Sequence, residues 1–198
     1  MKPSFEDVKK ARETLRDVAF EHWVHDDLFT WKWWLLLAAT IIPWILWIKF
    51  HDKNRTFEIL SYGLIWAILS SLFDVIGGEL ILWGYPDKLL PMVPPLFPAD
   101  ITVIPVLFMF IYQFSKNLYR YFIFSVLGSA LFSYVIEPLF IKGGMLILHN
   151  WTHTKSFIGF FILSQVVYLI IVSLKSKIKN EYLIIKYCNC KKISKGIY

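Results

Sequence analysis

Five long runs of apolar residues, separated by short polar segments, dominate the pattern of this chain. Each run has close to the roughly 20 residues that an α-helix needs to cross about 30 Å of hydrocarbon. The pattern therefore predicts an all-α, polytopic membrane helix bundle with five transmembrane helices. We place the spans at residues 29–50, 58–83, 98–118, 119–140 and 156–174, which gives a transmembrane domain over residues 29–174.

The first 28 residues have a different pattern. Phe5, Val8, Leu15 and Val18 recur among charged residues at helical spacing, which places them on one face of a helix. No apolar run of the kind found in a cleavable signal precedes residue 33. We predict that residues 1–28 form an amphipathic helix lying along the membrane surface.

Composition and charge agree with a membrane protein and suggest its orientation. Hydrophobic residues make up 57% of the chain and charged residues 18%. The loops after spans one and three are rich in Lys and Arg, whereas the loops after spans two and four contain few. Because cytoplasmic loops carry the excess of basic residues, we expect the N-terminus outside and the C-terminus in the cytoplasm of a bacterial plasma membrane. The basic residues of the N-terminal helix argue the other way, but most lie far from the first span.

Residues 175–198 are predicted to form a basic cytoplasmic tail. Its lysines suit attraction to anionic lipid headgroups, at about 1 kcal/mol per basic residue near the surface. Nucleic acid is not an expected partner, because no nucleic-acid-binding module accompanies the charge. Cys188 and Cys190 lack the second pair that a closed tetrahedral metal site needs, and we interpret them as reduced thiols.

Acidic residues lie at membrane depth inside the predicted spans: Asp74, Asp100 and Glu137, with Glu79 as a fourth nearer the outer surface. A charged side chain at the centre of the bilayer costs about 3 kcal/mol, so each needs a partner, a cavity or a proton. Counting along the helices at about 1.5 Å per residue places the first three at one level in the outer third of the bilayer. They predict an outward-facing acidic pocket that binds a cation, a proton or a small polar ligand.

Other polar residues could support this pocket, and breaks in the helices could shape it. Glu79 lies about one turn further out than Asp74, and Tyr112 and Gln113 lie near the inner end of span three. Gly77 and Gly78 permit close helix contact or a local break. Two prolines are expected to distort their spans, Pro105 in span three and Pro138 in span four.

A structural interpretation of the acids is equally open. Asp74 and Glu137 could be protonated and hydrogen-bond across helices to residues such as Ser70, Ser133 or Tyr134. Asp100 could be an acid in the first turn of a helix, where the helix dipole favours it.

The outer loops contain a second, weaker pattern. His149 and His153 are four residues apart, so in a helix both rings would project from one face and could bind a metal together with Asp100 or Glu137. The other outer loop, residues 85–98, contains five prolines that stiffen it. We predict that it forms a rigid lid.

A set of residues distributed along the chain resembles the pattern of a known protein family. It comprises Asp74 with Gly77, Leu82-Trp83-Gly84-Tyr85-Pro86, Pro98 with Asp100, Pro105, Tyr112-Gln113, Glu137-Pro138, and Trp151 with Ser156. In their order and spacing, these residues resemble those of a family of small multi-pass membrane proteins from spore-forming Gram-positive bacteria. The resemblance runs from about residue 33 to residue 171. It implies a location and transfers no catalytic residue or cofactor.

No motif in the sequence names a reaction. It has no Gly-rich nucleotide loop, no serine nucleophile elbow and no His-Glu-x-x-His helix. We therefore predict a non-enzymatic integral membrane protein with a ligand pocket at the three acids. One alternative is a scaffold or a partner-binding subunit without a ligand site, and another is a membrane-embedded enzyme that acts on a lipid or isoprenoid substrate.

Overall fold

The computed structural model describes residues 2–91, 93 and 96–195, with side chains described through residue 178. This part of the chain is mainly helical. Its α-helices are α1 (Phe5–His22), α2 (Trp31–Phe50), α3 (Thr56–Glu79), α4 (Ile104–Phe114), α5 (Leu118–Leu131), α6 (Glu137–Lys142) and α7 (His153–Lys195). Two short antiparallel strands, β1 (Trp83–Gly84) and β2 (Ile147–Leu148), pair with each other. The predicted all-α class is confirmed.

Four helical segments of the described residues are long and apolar enough to cross a membrane. They are Trp31–Phe50, Lys53–Glu79, Leu118–Lys142 and His153–Ile178. They correspond to the first, second, fourth and fifth spans predicted from the sequence. Their length and composition fit an integral membrane protein.

The predicted third span is shorter than expected. The 11 residues of α4 follow a five-residue π-helical turn, Ala99–Val103, and together they rise about 24 Å. The helix ends early because the chain becomes extended at Ser115 and turns at Asn117, whose side chain caps α5 by accepting a hydrogen bond from the Arg120 N–H. Most of α4 is buried inside the bundle. Its side chains therefore contact neighbouring helices, whereas those of a lipid-facing span would contact acyl chains.

The core of the bundle lies between α3, α4, α5 and α7, and α2 packs against α4 and the π-helical turn before it. Buried aromatic residues dominate this core. The Trp66 indole N–H donates to the Tyr62 hydroxyl, which lies 2.7 Å from the Tyr121 hydroxyl. Tyr121 in turn donates to the Ser164 carbonyl. This chain of hydrogen bonds joins α3, α5 and α7 and satisfies polar groups that would otherwise be costly to bury.

The loops fall at two ends of the bundle, which we call the upper and the lower end. The upper end carries the described residues of 80–91 and 96–98 and the residues 143–152, and β1 and β2 tie these two segments together. The lower end carries residues 51–55 and 115–117. There the Gln113 side chain binds the backbone of Phe50 and Asp52, and Lys175 pairs with Glu58.

The N-terminal segment is helical, as the sequence pattern predicts. α1 begins after Ser4, whose side chain forms a capping box with Asp7. No residue of α1 is buried, and its apolar side chains remain exposed. A π-helical turn, Trp23–Asp27, follows α1 and attaches the segment to the upper end, where the Trp23 indole N–H donates to backbone carbonyls of residues 88 and 89.

Helices α3 and α6 end in the same way, which the sequence pattern did not indicate. After α3, the Leu82 N–H bonds to the Gly77 carbonyl; after α6, the Met145 N–H bonds to the Phe140 carbonyl. Each is the wide hydrogen bond of a Schellman motif, which needs a left-handed residue just after the helix. That residue is Ile81 (φ 54°) after α3 and Gly144 (φ 70°) after α6. After each of these motifs, the polypeptide continues into one of the two paired strands, β1 or β2.

The predicted basic tail is continuous with the last span. α7 runs from His153 to Lys195, so no helix end marks residue 175 as a boundary. Cys188, Cys190 and most of the lysines of the tail have side chains outside the described residues. The interpretation of these thiols and the attraction to lipid headgroups remain predictions.

Candidate functional site

A cavity of about 800 Å³ lies in the upper half of the bundle, and Asp74, Asp100 and Glu137 all line it. Asp74 lies five residues before the end of α3, and Glu137 lies five residues before the end of α6. Both acids are thus about 7 to 8 Å below their helix ends. Asp100 lies in the first turn of its own segment. The structure therefore places the three acids at a similar depth and beside one space.

Two of these acids lie within or next to irregular turns of their helices. Asp100 lies within the π-helical turn Ala99–Val103, and Glu137 directly follows a second such turn, Phe132–Ile136. Each turn comes just before a proline, Pro105 or Pro138. A proline lacks the N–H of a regular helical hydrogen bond, so the helix locally adopts a wider turn. The predicted distortion of these two helices is confirmed, and turns of this kind are frequent at functional sites.

Asp74 is held by three donors from the loop that follows its own helix. Its Oδ1 accepts hydrogen bonds from the Trp83 indole N–H at 2.5 Å and from the Tyr85 hydroxyl at 2.6 Å. Its Oδ2 accepts the Leu96 backbone N–H at 2.9 Å. The Trp83 ring can lie here because Gly77 has no side chain: a Cβ there would be 2.0 Å from the ring. Both ends of the loop over residues 85–96 are therefore fixed on one carboxylate.

Asp100 has the opposite environment. Its carboxyl is buried, and among the described residues no donor reaches its Oδ2. The backbone of Asp100 is fixed separately, because the Ser70 hydroxyl donates to its carbonyl at 2.9 Å. The backbone of Asp100 is thus fixed, and its Oδ2 is a buried acceptor without a partner among the described residues.

Glu137 is paired with a histidine of the next helix. Its Oε2 lies 2.9 Å from Nδ1 of His153. The nearby Ser156 hydroxyl accepts the Trp151 indole N–H at 2.9 Å, and both of these residues line the cavity. Glu137 therefore joins α6 to the start of α7.

The structural interpretation expected other hydrogen-bond partners for Asp74 and Glu137 than those that the structure shows. Ser70 bonds to backbone carbonyls, and the Tyr134 hydroxyl bonds to Thr154. Ser133 has a buried hydroxyl without a hydrogen-bond partner among the described residues. The Asp74 partners come instead from the loop after α3, and the Glu137 partner comes from the start of α7.

The supporting residues named from the sequence lie away from the three acids. Glu79 is exposed at the end of α3. Tyr112 donates a hydrogen bond to Glu58 at the lower end. Gln113 lies at that end too, where it binds the backbone between α2 and α3. The structure does not bring these side chains to the cavity.

The histidine pair does not form a metal centre with the acids in the described part of the chain. His149 is exposed beside Gly84, whereas His153 faces Glu137. Within residues 2–91, 93 and 96–178, no three side chains of His, Cys, Asp or Glu are grouped so that they could hold a metal ion. The His153–Glu137 pair is therefore a two-residue contact.

The rest of the cavity wall is apolar, and it reaches the outer surface of the bundle. Phe73 and Ile76 of α3 and Ile162 and Val166 of α7 line the cavity. The same four side chains are 41% to 55% exposed on the surface. The cavity therefore opens sideways between these helices, at the level where lipid chains would lie. The lining contains no Lys, Arg or His among the described residues.

The loop over residues 85–91 is clamped from the N-terminal side. Lys32 pairs with Asp87 at 2.7 Å, and the Trp33 indole N–H donates to the Leu89 carbonyl. Asp27 accepts the Lys88 N–H. Burial raises the pKa of the Tyr85 phenol well above its ordinary value, and the neighbouring Asp74 raises it further. Tyr85 thus stays protonated and donates to Asp74, which fits the predicted lid.

Sequence reasoning missed the aromatic partners of the acids. Trp83 and Tyr85 fit an interfacial aromatic belt equally well, and nothing in the sequence alone assigns their indole and phenol donors to Asp74. A usable signal was present: Gly77 is followed six residues later by Trp83 and then by Tyr85. That spacing allows the chain to turn back and place an aromatic donor on the preceding helix.

Comparisons with known proteins add no functional assignment. No family model matches the chain, and no curated protein or solved structure matches it significantly.

Proposed function

We propose that this chain is a multi-pass protein of a bacterial plasma membrane that takes an amphipathic molecule from the bilayer into the cavity. The apolar part of the ligand would lie along the apolar walls, and its polar end, bearing a hydrogen-bond donor, would meet Asp100. The observation that carries the proposal is a laterally open cavity with mainly apolar walls, which Asp74, Asp100 and Glu137 also line. A volume of about 800 Å³ lies within the range of about 300 to 1,000 Å³ typical of ligand pockets.

This proposal modifies the small polar ligand expected from the sequence. Asp74 and Glu137 already have partners inside the protein. A small hydrophilic ion would make no favourable contact with the apolar walls of the cavity. An amphipathic ligand uses both features, because apolar surface is buried along the walls and a donor is satisfied at the acid.

The proposed arrangement in the membrane has five crossings, with α4 as a short, enclosed third one. The upper end would face outward, with α1 on the membrane surface and its exposed apolar residues in the lipid. The lower end, which carries most of the loop lysines and arginines, would face the cytoplasm. The tail would contact anionic headgroups there. The family resemblance noted in the sequence supports a bacterial membrane location.

A second candidate is an enzyme that acts on a lipid or isoprenoid substrate. The lateral opening favours it, because such a substrate would reach the acids from the bilayer. Chemical change of a bound lipid probe would distinguish this enzyme from a binding protein. A scaffold without a ligand site is less well supported, since it gives no reason for a cavity of this size.

We expect a bulky residue at Gly159 to block the cavity. Gly159 lines the cavity, and a Cβ there meets no atom within 4 Å, so Gly159→Leu fits the helix and projects into open space. Binding of dodecylamine and dodecanol to the protein in phosphatidylcholine nanodiscs, corrected for partitioning into empty nanodiscs, measures the effect. We expect saturable binding of at least one probe, weakened about tenfold in the variant because its side chain occupies ligand space.

Gly78→Leu is the matched control. Gly78 also has open space around its Cβ and lies in a helix, but it does not line the cavity. This variant should bind the probes as the unmodified protein does. Equal loss in both variants, or no saturable binding of either probe, would contradict the proposed function.

A further inference from the structure

We propose that His22, the last residue of α1, makes the attachment of the N-terminal segment to the loop over residues 85–91 dependent on pH. The protonated imidazole ties the end of α1 to this loop, and loss of the proton weakens the tie. This device goes beyond the proposed function, because it does not depend on which ligand the cavity takes.

The imidazole of His22 faces hydrogen-bond acceptors on both sides of its ring. Its Nδ1 lies 3.0 Å from Oδ2 of Asp26, and its Nε2 lies 3.1 Å from the Pro86 carbonyl oxygen. Nε2 also lies 3.6 Å from Oδ1 of Asp27. A neutral imidazole has one N–H donor, whereas the imidazolium ion has two. The protonated ring is therefore the form that satisfies both contacts, and its charge is attracted to the two neighbouring carboxyl groups.

This contact lies next to a residue of the cavity. Pro86 directly follows Tyr85, which lines the cavity and donates to Asp74. The other attachments of the N-terminal segment to the loop use an indole N–H and a backbone N–H as donors. Neither of these donors titrates near neutral pH, whereas a histidine does. His22 therefore adds a titratable contact to an otherwise permanent attachment.

The direction of the pH effect follows from the contacts of the ring. The pKa of His22 is raised above its ordinary value of about 6.5, mainly because the ring donates to the Pro86 carbonyl, and the carboxyl groups of Asp26 and Asp27 add to this effect. A group whose pKa is higher in the attached state stabilises that state fully below the pKa of the detached state. The contribution is lost as the pH rises from about 6.5 through the higher pKa of the attached state. The attachment is therefore firmer in acid and looser in base.

Other charged groups surround this contact, and one of them also has a shifted pKa. They are Asp26 and Asp27 of the π-helical turn, Asp87 and Lys88 of the loop, and Lys32 of α2, which pairs with Asp87. Burial lowers the pKa of Lys88. A pH dependence must therefore be assigned with a substitution of His22 itself.

Hydrogen–deuterium exchange of the Lys88 backbone N–H measures the attachment. This N–H donates to the Asp27 carboxyl at 3.0 Å, so it exchanges when the N-terminal segment leaves the loop. Exchange is recorded by mass spectrometry for the protein in phosphatidylcholine nanodiscs at pH 6 and pH 8, and each rate is divided by the intrinsic rate at that pH. We expect the protection to fall about threefold from pH 6 to pH 8, as for one hydrogen bond at a half-exposed site.

Two glutamine variants assign the effect. His22→Gln has a neutral side chain at both pH values, so its protection should be lower than that of the unmodified protein at pH 6 and should not change with pH. His25→Gln is the matched control, because His25 is an exposed histidine of the adjoining π-helical turn. This variant should keep the pH dependence of the unmodified protein.

The same pH dependence in His22→Gln as in the unmodified protein would overturn the proposal, and so would protection of the unmodified protein that does not change with pH. No ligand enters this measurement. Its failure would therefore leave the proposed function in place, and the probe-binding experiment tests that function separately.

Discussion

Asp74→Asn is expected to release the upper loop and lower the stability of the protein substantially. The asparagine carbonyl could still accept the donors of Trp83 and Tyr85, but its NH₂ group would then face the Leu96 N–H. Turning the amide over leaves the two aromatic donors unsatisfied instead. Each buried unsatisfied group costs about 1 to 3 kcal/mol. We expect a loss of about 3 kcal/mol, or roughly 6 to 12 °C in the midpoint of thermal unfolding.

Thermal unfolding of the purified protein in detergent measures this effect. Glu79→Gln is the matched control, because Glu79 is an exposed acid on the same helix. Its substitution should shift the midpoint little. An Asp74→Asn protein that unfolds at the same temperature as the Glu79→Gln protein would show that the carboxylate does not hold the loop.

Gly77→Ala is expected to be destabilising although it adds a single methyl group. Its Cβ would lie 2.0 Å from Cζ2 of the Trp83 ring. The ring would have to move, and its indole N–H would leave Asp74. Overpacking of this kind costs about 1 to 3 kcal/mol. Because this substitution and Asp74→Asn both act on the hydrogen-bonded group formed by Asp74 and Trp83, the double variant should lose less than the sum of the single losses.

The neighbouring glycine provides the control. A Cβ at Gly78 meets nothing within 4 Å. Gly78→Ala should therefore leave the unfolding midpoint unchanged or raise it slightly, since alanine favours a helix over glycine. Equal behaviour of the two alanine variants in thermal unfolding would contradict the packing of Trp83 on α3.

Local sequence signals account for most of the helical framework. Long apolar runs located the spans because a bilayer requires both length and apolar character, and the structure has membrane-length helices in four of the five places. The rise per residue placed Asp74, Asp100 and Glu137 at one level. The helix distortions next to Pro105 and Pro138 were predictable, because a proline lacks the backbone N–H and disturbs the helix within one turn.

Features that depend on tertiary contacts were not predictable in this way. The short α4 ends at a turn formed by Ser115 and Asn117, and the apolar run continues across that turn. The turn at Ile81 places a β-branched residue at positive φ, where glycine or asparagine would have been the recognisable signal. It directs Trp83 back onto Gly77, and so it determines how Asp74 is satisfied.

The cavity could not be predicted from the sequence either. Its walls come from helices that are distant in the chain, and residues such as Phe73 and Ile162 read simply as lipid-facing positions. Only their arrangement in space shows that they flank an opening. That arrangement changes the expected ligand from a small polar one to an amphipathic one.

The position of a bound headgroup tests the proposed site most directly. Solid-state NMR can measure the distance between the nitrogen of ¹⁵N-labelled dodecylamine and Cγ of Asp100 in protein labelled with ¹³C-aspartate, with Asp100→Asn used to assign the signal. We expect a distance of about 4 Å, because the N–H···O bond between an ammonium group and a carboxylate is about 2.8 Å long. A bound amine whose nitrogen gives no contact with Asp100 would contradict the site.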